Sequence, residues 1–446
     1  MSDTHDYQER TEDELKSLTD SFRKAPVHNY VAPPAPGWDV HGLWHCWGSG
    51  HRTGYSTHAL ALHWMLSRVL KVPTELIPHR SMDVDITRFP ADRYDVLFGW
   101  MKEAVGHPHA LFSSFPLEVS AEMTGANGDG AIIPYCAFEG DKVSKYAAGL
   151  ATGPIFHSIW VVSQFVKDAF VAADVPADRV EVIRPMITDG FWKMSPLDDL
   201  VSAKNRPVSH DDPFIFGVLG TWQKRKGMHD LIRAYFTTFK REEPVRLVIR
   251  TSAMNSSESI RLLKEQITKD ISAIAVELGD TNFPMSKRMP KVDFELGTDL
   301  TDQQVIEWLG TLDCYANPSY GEGLGIPHVW AKAQGVPLVT SGHGAVPQLL
   351  TEIGSDFDMI FPAKLTPVDP EMLRLGLMFQ RSTNWGTYDV SDLGAAMRRT
   401  YTDVGRRVDI AAAKYVRAAF GQDTIEPLKA ALRRLLSEEQ AKEWLP

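Results

Sequence analysis

A chain of 446 residues exceeds the size at which a single hydrophobic core stops growing, so two domains are expected. With 43% hydrophobic and 23% charged residues, it has the composition of a globular protein with ample core material. A formal net charge of -10 argues against a general nucleic-acid coat, which needs an extended basic face.

The N-terminal "MSDTHDYQERTEDELKSL" is charged and lacks an apolar core, so no signal peptide is expected, and residues 11–25 read as a polar helix. A Pro-rich stretch, "VAPPAPGWD", follows. Strand patterns then fall at 38–46, 74–79, 94–100, 109–115, 131–138, 158–163 and 179–185. Helical patterns lie between several of them, notably "STHALALHWMLSRVL" and "QFVKDAFVAA". Residues 188–213 break this rhythm with turn residues and charges and read as an interdomain linker. A second series starts with a strand at 214–220 and a helix from about 228, then a strand at 245–252 and a long helix from 257. It continues with a strand at 292–297, a helix at 302–309, a strand at 314–319, a helix after Gly325 and strands at 337–341 and 358–363. From about 369 the chain reads as helical to its end.

Strands alternating with helices indicate βαβ units and parallel sheets. The expected fold class is therefore α/β: two Rossmann-like, doubly wound parallel-sheet domains facing a cleft, with a C-terminal helical tail. The expected boundaries are a lead at 1–37, an N-terminal domain at 38–205, a C-terminal domain at 206–385 and terminal helices at 386–446. Ligands of such sheets bind where strand C-termini and helix N-termini converge. Cys46, Cys136 and Cys314 are far apart and odd in number, which offers neither a disulfide framework nor a Cys-x-x-Cys pair and suits a reducing, cytoplasmic setting. No run of 18 apolar residues occurs, so no membrane span is expected; peripheral contact stays open.

The most informative stretch is "GEGLGIPHVWAKAQGVPLVTSG" at 321–342. A strand pattern runs into Gly-Glu-Gly-Leu-Gly, and Pro327 suits a first helical turn. Glycines allow close backbone approach, and a helix start offers unpaired N–H groups and a positive dipole end, a cradle for phosphate. Glu322 repels an anion but accepts hydrogen bonds from neutral hydroxyls, so the pattern asks for a ligand carrying both phosphate and hydroxyls: a sugar nucleotide. A second motif, "GVLGTWQKRKGMHDLIRAY" at 217–235, places Lys224, Arg225 and Lys226 between a strand and a helix. There they either neutralise a pyrophosphate or face solvent, as the separate cluster "SKRMPK" at 286–291 is expected to do. A third, "WHCWGSGHRTGYSTHALALHWML" at 44–66, is a strand, a turn with Gly48, Gly50 and Gly54, and a helix with Ser56 or Thr57 at its cap. Its G-x-G-x-x-x-G spacing disfavours a nicotinamide cofactor, and glycines interrupt any helix that would align His41, His45 and His51 on a metal.

Together these stretches resemble glycosyltransferase family 4, retaining nucleotide-sugar transferases of the GT-B fold. The likeness is carried by "IWVVSQFVKDAF" with "VPADRVEVIRP", by "GTWQKRKG" and by "LDCYANPSYGEGLGIPHVWAKAQGVPLVTSG". The resemblance implies a glycosyltransferase, with a hexose expected, that moves a sugar from a nucleoside diphosphate to an acceptor hydroxyl without a metal or other cofactor. It implies that Glu322 bonds donor-sugar hydroxyls, that Gly323, Leu324 and Gly325 offer backbone amides, and that Arg225 and Lys226 hold the diphosphate. It places Gly48 and Gly50 beneath the donor phosphates, and His107 or His109 on the acceptor side. The acceptor stays open among a glycan, a lipid-linked intermediate, a small molecule, a protein and a modified nucleic acid, as does the oligomeric state. Two positions depart from the family pattern. Trp330 stands where a second Glu grips the nucleotide ribose, and an indole, which only donates, either stacks there or fills the core. Gln348 replaces a further Glu. Alternative readings are a phosphorylase-like relative and a degenerate sugar-nucleotide or partner binder.

Overall fold

The computed structural model describes residues 43–47, 54–72, 74–78, 110–114, 117–121, 131–190, 192–252, 260–281, 289–297, 300–370, 372–375 and 377–445. The expected helix at 11–25, the expected strand at 94–100, and Gly48, Gly50, His107 and His109 lie outside the described residues.

The first sheet is built from β1 (Leu43–Trp47), β2 (Thr74–Pro78), β3 (Ala110–Ser113), β4 (Ala131–Cys136), β5 (Ile159–Val161) and β6 (Val180–Val182). All pairs are parallel, in the order β2-β1-β3-β4-β5-β6. Among its helices are α1 (Gly54–Trp64), α2 (Lys145–Thr152) and α3 (Gln164–Val171). Ser144 and Ser163 cap the last two by accepting from the Ala147 and Val166 amides. Within the stretch read as a linker the chain forms a helix, α4 (Leu197–Lys204).

The second sheet comprises β7 (Phe214–Thr221), β8 (Val245–Ser252), β9 (Val292–Leu296), β10 (Cys314–Asn317), β11 (Leu338–Ser341) and β12 (Met359–Phe361). Again every pair is parallel, in the order β12-β11-β10-β7-β8-β9. Within this domain that is the doubly wound Rossmann order, and its direction reverses between β7 and β10. The connecting helices are α5 (Met228–Thr238), α6 (Ile260–Glu277), α7 (Asp302–Thr311), α8 (Ile326–Ala333) and α9 (Ala345–Ile353). On α5, Met228, Leu231, Ile232 and Tyr235 are buried, the i, i+3, i+4, i+7 stripe of a helix lying on a sheet. Phe214, Phe216 and Val218, on one face of β7, are fully buried, and Ile215 and Leu219 on the other are partly buried, as expected for a central parallel strand covered on both faces.

Beyond residue 369 the expectation of helix fails at 384–387. β13 (Lys364–Pro367) pairs antiparallel with β14 (Asn384–Thr387). The cause is tertiary: Trp385 is buried with its ring 5.2 Å from that of Tyr320, and the Gly386 amide donates to the Tyr320 carbonyl at 2.7 Å. The segment before β14 is strapped to the first domain. Asn384 bonds both carboxylate oxygens of Asp141, and Ser144 Oγ donates to the Leu377 carbonyl. Then come α10 (Val390–Arg399), α11 (Ile410–Ala419), α12 (Ile425–Leu435) and α13 (Glu438–Trp444). α10 packs Leu393, Ala396 and Met397 into the second core. The later helices cross back: the Thr188 amide donates to Phe420, and Leu428, Leu432 and Trp444 join the first domain's core.

Candidate active site

The direction reversal between β7 and β10 sets the loops that follow these two strands side by side. After β7, Lys224–Lys226 make one tight turn, and Gly227 leads into α5 at φ +65°. A Cβ on Gly227 would lie 2.6 Å from the Pro318 carbonyl, so the two loops touch. The Tyr320 amide donates to the Arg225 carbonyl at 2.8 Å, fixing their register. Lys224 turns outward to Asp369, while the side chains of Arg225 and Lys226 are only 11% and 16% exposed.

Both inward cations converge on Glu322. Its carboxylate lies 2.6 Å from Lys226 Nζ and 3.7 Å from Arg225 Nη1, and Arg225 also donates to the Gly321 carbonyl at 2.7 Å. Burial pushes the Glu322 carboxyl upward, but Lys226 and Arg225 outweigh it and hold it at about 2, so it is ionised at neutral pH. Burial draws the Lys226 ammonium down, with Glu322 opposing. Beneath the loop His328 is buried and pushed down to about 4 by burial against the pull of Glu322, so it is neutral at pH 7.

The glycines divide the work. Gly325 is left-handed at φ +76° and opens α8, with Pro327 in the first turn. Gly321 and Gly323 approach protein rather than open space. A Cβ at Gly321 would lie 2.2 Å from the Glu139 carbonyl, and one at Gly323 would lie 2.7 Å from the Phe138 carbonyl. Ser163 Oγ, from the N-cap of α3, donates to the Gly323 carbonyl at 2.5 Å. Gly321 and Gly323 thus serve the contact with the first domain, and Gly323 lines the cleft as well. They let the first domain seat against the loop.

The resulting cleft of about 460 Å³ suits a nucleotide-sized ligand. Arg225, Lys226, Glu322, Gly323, Leu324, Gly325 and Trp330 line it from the second domain, and Tyr55, Thr57 and Glu139 from the first. Trp330 is 3% exposed; its indole N–H donates to the Ile187 carbonyl at 2.9 Å, and its ring lies 6.0 Å from that of Trp192. Of the two options for this residue, core filling describes most of its surface. Gln348 reaches Asp168 of α3 at 3.3 Å.

Sequence reasoning missed Glu139, which approaches Arg225 Nη2 at 3.4 Å, and Asp302, which lies 3.4 Å from Thr57 Oγ1. Glu139 follows β4 at a strand C-terminus, the position at which such folds bind ligands, and that rule is the signal that could have found it. The Asp313 of the third resembling stretch serves structure. It is buried and pairs with Lys204 at 3.0 Å and Arg406 at 3.1 Å, while Lys204 also caps the end of α7 through the Thr311 and Leu312 carbonyls.

No family model and no curated protein matches the sequence. Solved structures do match in fold. Anabaena HepE in complex with UDP and glucose superposes with a TM-score of 0.56 at 14% identity, over 89% of this chain and 100% of that one. A glycosyltransferase from Rickettsia africae gives 0.58 at 10% identity, over 90% and 100%. Sucrose-phosphate synthase from Thermosynechococcus elongatus gives 0.57 at 12% identity, over 89% and 98%. The chain has the GT-B fold of these glycosyltransferases: two parallel-sheet α/β domains with a helical C-terminus. At these identities the likeness is one of fold.

Proposed function

We propose that the protein is a glycosyltransferase of the family 4 type, moving a sugar, a hexose in the first instance, from a nucleoside diphosphate to an acceptor hydroxyl. The observation that carries this reading is an ionised Glu322 held between Lys226 and Arg225, at the switch point of the second sheet and beside the N-terminus of α8. UDP and glucose in HepE, a structure of the same fold, support the same class of ligand.

In this reading the donor diphosphate takes the cations, and Glu322 turns to the sugar hydroxyls. The acceptor oxygen bonds the anomeric carbon while the bond from that carbon to the phosphate oxygen breaks. The acceptor proton passes to an oxygen of the departing diphosphate. Attack on the leaving group's own face retains the anomeric configuration and requires no protein nucleophile. Arg225, Lys226 and the helix N-terminus stabilise the charge that develops on the leaving group, the role a metal plays elsewhere, so the proposal includes metal independence. Among the described residues no helix is long and apolar enough to cross a membrane.

The test is a melting-temperature panel with UDP, GDP, ADP, CDP and TDP and their sugars, without added metal. A ligand at 100 times its Kd adds about 2.7 kcal/mol to the folded state. A shift confined to one nucleotide supports the donor site and names its base. No shift with any of them refutes the reading. Consumption of inorganic phosphate in place of nucleotide release would assign the phosphorylase-like chemistry instead.

A further inference from the structure

Three carboxylates line the cleft among the described residues: Glu139, Asp302 and Glu322. Glu139 meets Arg225, and Glu322 meets both Arg225 and Lys226, at the end where the diphosphate would sit. Asp302 stands elsewhere. It is the first residue of α7, which follows β9, and the capping box of Thr301 and Gln304 fixes its backbone. From β7, whose loop carries the cations, to β9 is two strand spacings, about 10 Å, the scale of a nucleoside. Thr251 and Ser252, at the end of the intervening β8, line the same cleft, which makes it continuous from the cations to Asp302.

Trp330 lines this cleft too but brings no acceptor to it, and its one N–H is bonded to the Ile187 carbonyl. A nucleotide lying along the cleft therefore needs another group for its ribose hydroxyls. We propose that Asp302 is that group and accepts the 2′ and 3′ hydroxyls of the donor nucleotide. A carboxylate with two oxygens matches a vicinal diol and repels a phosphate, so this end of the cleft selects the neutral part of the ligand. Thr57 Oγ1 donates to Asp302 at 3.4 Å, long for a hydroxyl donor, and a carboxylate accepts further hydroxyls beside such a bond. Thr57 belongs to α1 of the first domain, so the ribose meets both walls of the cleft.

This inference rests on the nucleotide-sugar reading above, and the experiment separates the two. UDP, GDP and ADP, each as the ribonucleotide and the 2′,3′-dideoxy form, are titrated by calorimetry into the wild type, Asp302→Ala and Asp302→Asn. The wild type should prefer the ribonucleotide by about tenfold or more, the worth of a charge-assisted hydrogen bond. In Asp302→Ala the preference should collapse to within about twofold while dideoxynucleotide affinity holds, with Asp302→Asn between them. Asp302→Asn keeps side-chain size and polarity at the helix start, so it reports even if the alanine variant misfolds. A full ribose preference in both variants, or an equal loss of both nucleotide forms, overturns the assignment. Failure of the wild type to bind any of the six, or CDP or TDP, overturns the nucleotide-sugar reading itself, and this inference with it.

Discussion

Replacing Glu322 by Gln keeps the size of the side chain and removes the charge that Lys226 and Arg225 face, so it isolates the electrostatics of the site. In the folded protein the Glu322 carboxyl is held at about 2 against an ordinary value of 4.5. A depressed acid stabilises the fold above its unfolded value and loses that contribution as pH falls through the window between the two. At neutral pH the difference corresponds to about 3 kcal/mol. Roughly a quarter of this is lost by pH 4 and more than half by pH 3. Burial also draws Lys226 down, so the net worth of the pair is smaller and the figure is an upper bound. For a domain of this size the loss lowers the melting temperature by up to about 6–12 °C at pH 7. The assay is a series of thermal melts of wild type and Glu322→Gln at pH 7, 4 and 3. The gap between them should be widest at pH 7 and narrow steadily with acid, and glycosyl transfer by the variant should be lost. Equal melting temperatures at pH 7, or a gap that does not change with pH, would refute the ion-pair account.

Arg225→Ala should weaken nucleoside-diphosphate binding by about 1.5–3 kcal/mol in calorimetry, whereas Lys224→Ala, which removes an outward cation, should leave it unchanged. Trp330→Ala should destabilise the protein by about 3–5 kcal/mol in denaturant unfolding, because a buried indole and its bond to Ile187 are both lost. Trp330→Glu, which a merely drifted ribose site would reward with tighter nucleotide binding, should instead misfold, since it buries an unpaired carboxylate. Gly321→Ala sets a methyl group against the Glu139 carbonyl; proteolysis should report a loosened contact between the domains, and glycosyl transfer should fall with it.

What the chain determined locally was legible in one dimension. Buried strands such as 214–220 are continuous apolar runs, α5 carries a helical stripe, and the doubly wound class follows from their alternation. Arg225, Lys226 and Glu322 could be singled out because glycines, charges and a helix start occur together within a few residues. Their convergence was another matter. Glu322 lies 96 positions from Lys226, and only the reversal of strand order between β7 and β10 brings them within 2.6 Å. Tertiary structure alone gave Gly321 and Gly323 their neighbours, drew 384–387 into a strand against the Tyr320 loop, and brought Thr57 to Asp302 across 245 positions. It also made Trp330 a core residue, by setting the Ile187 carbonyl where the indole N–H could reach it. Local pattern records which face of an element is apolar and where it can turn. Which distant backbone then fills that face is set by how the two sheets seat against each other, and no short stretch of sequence carries that.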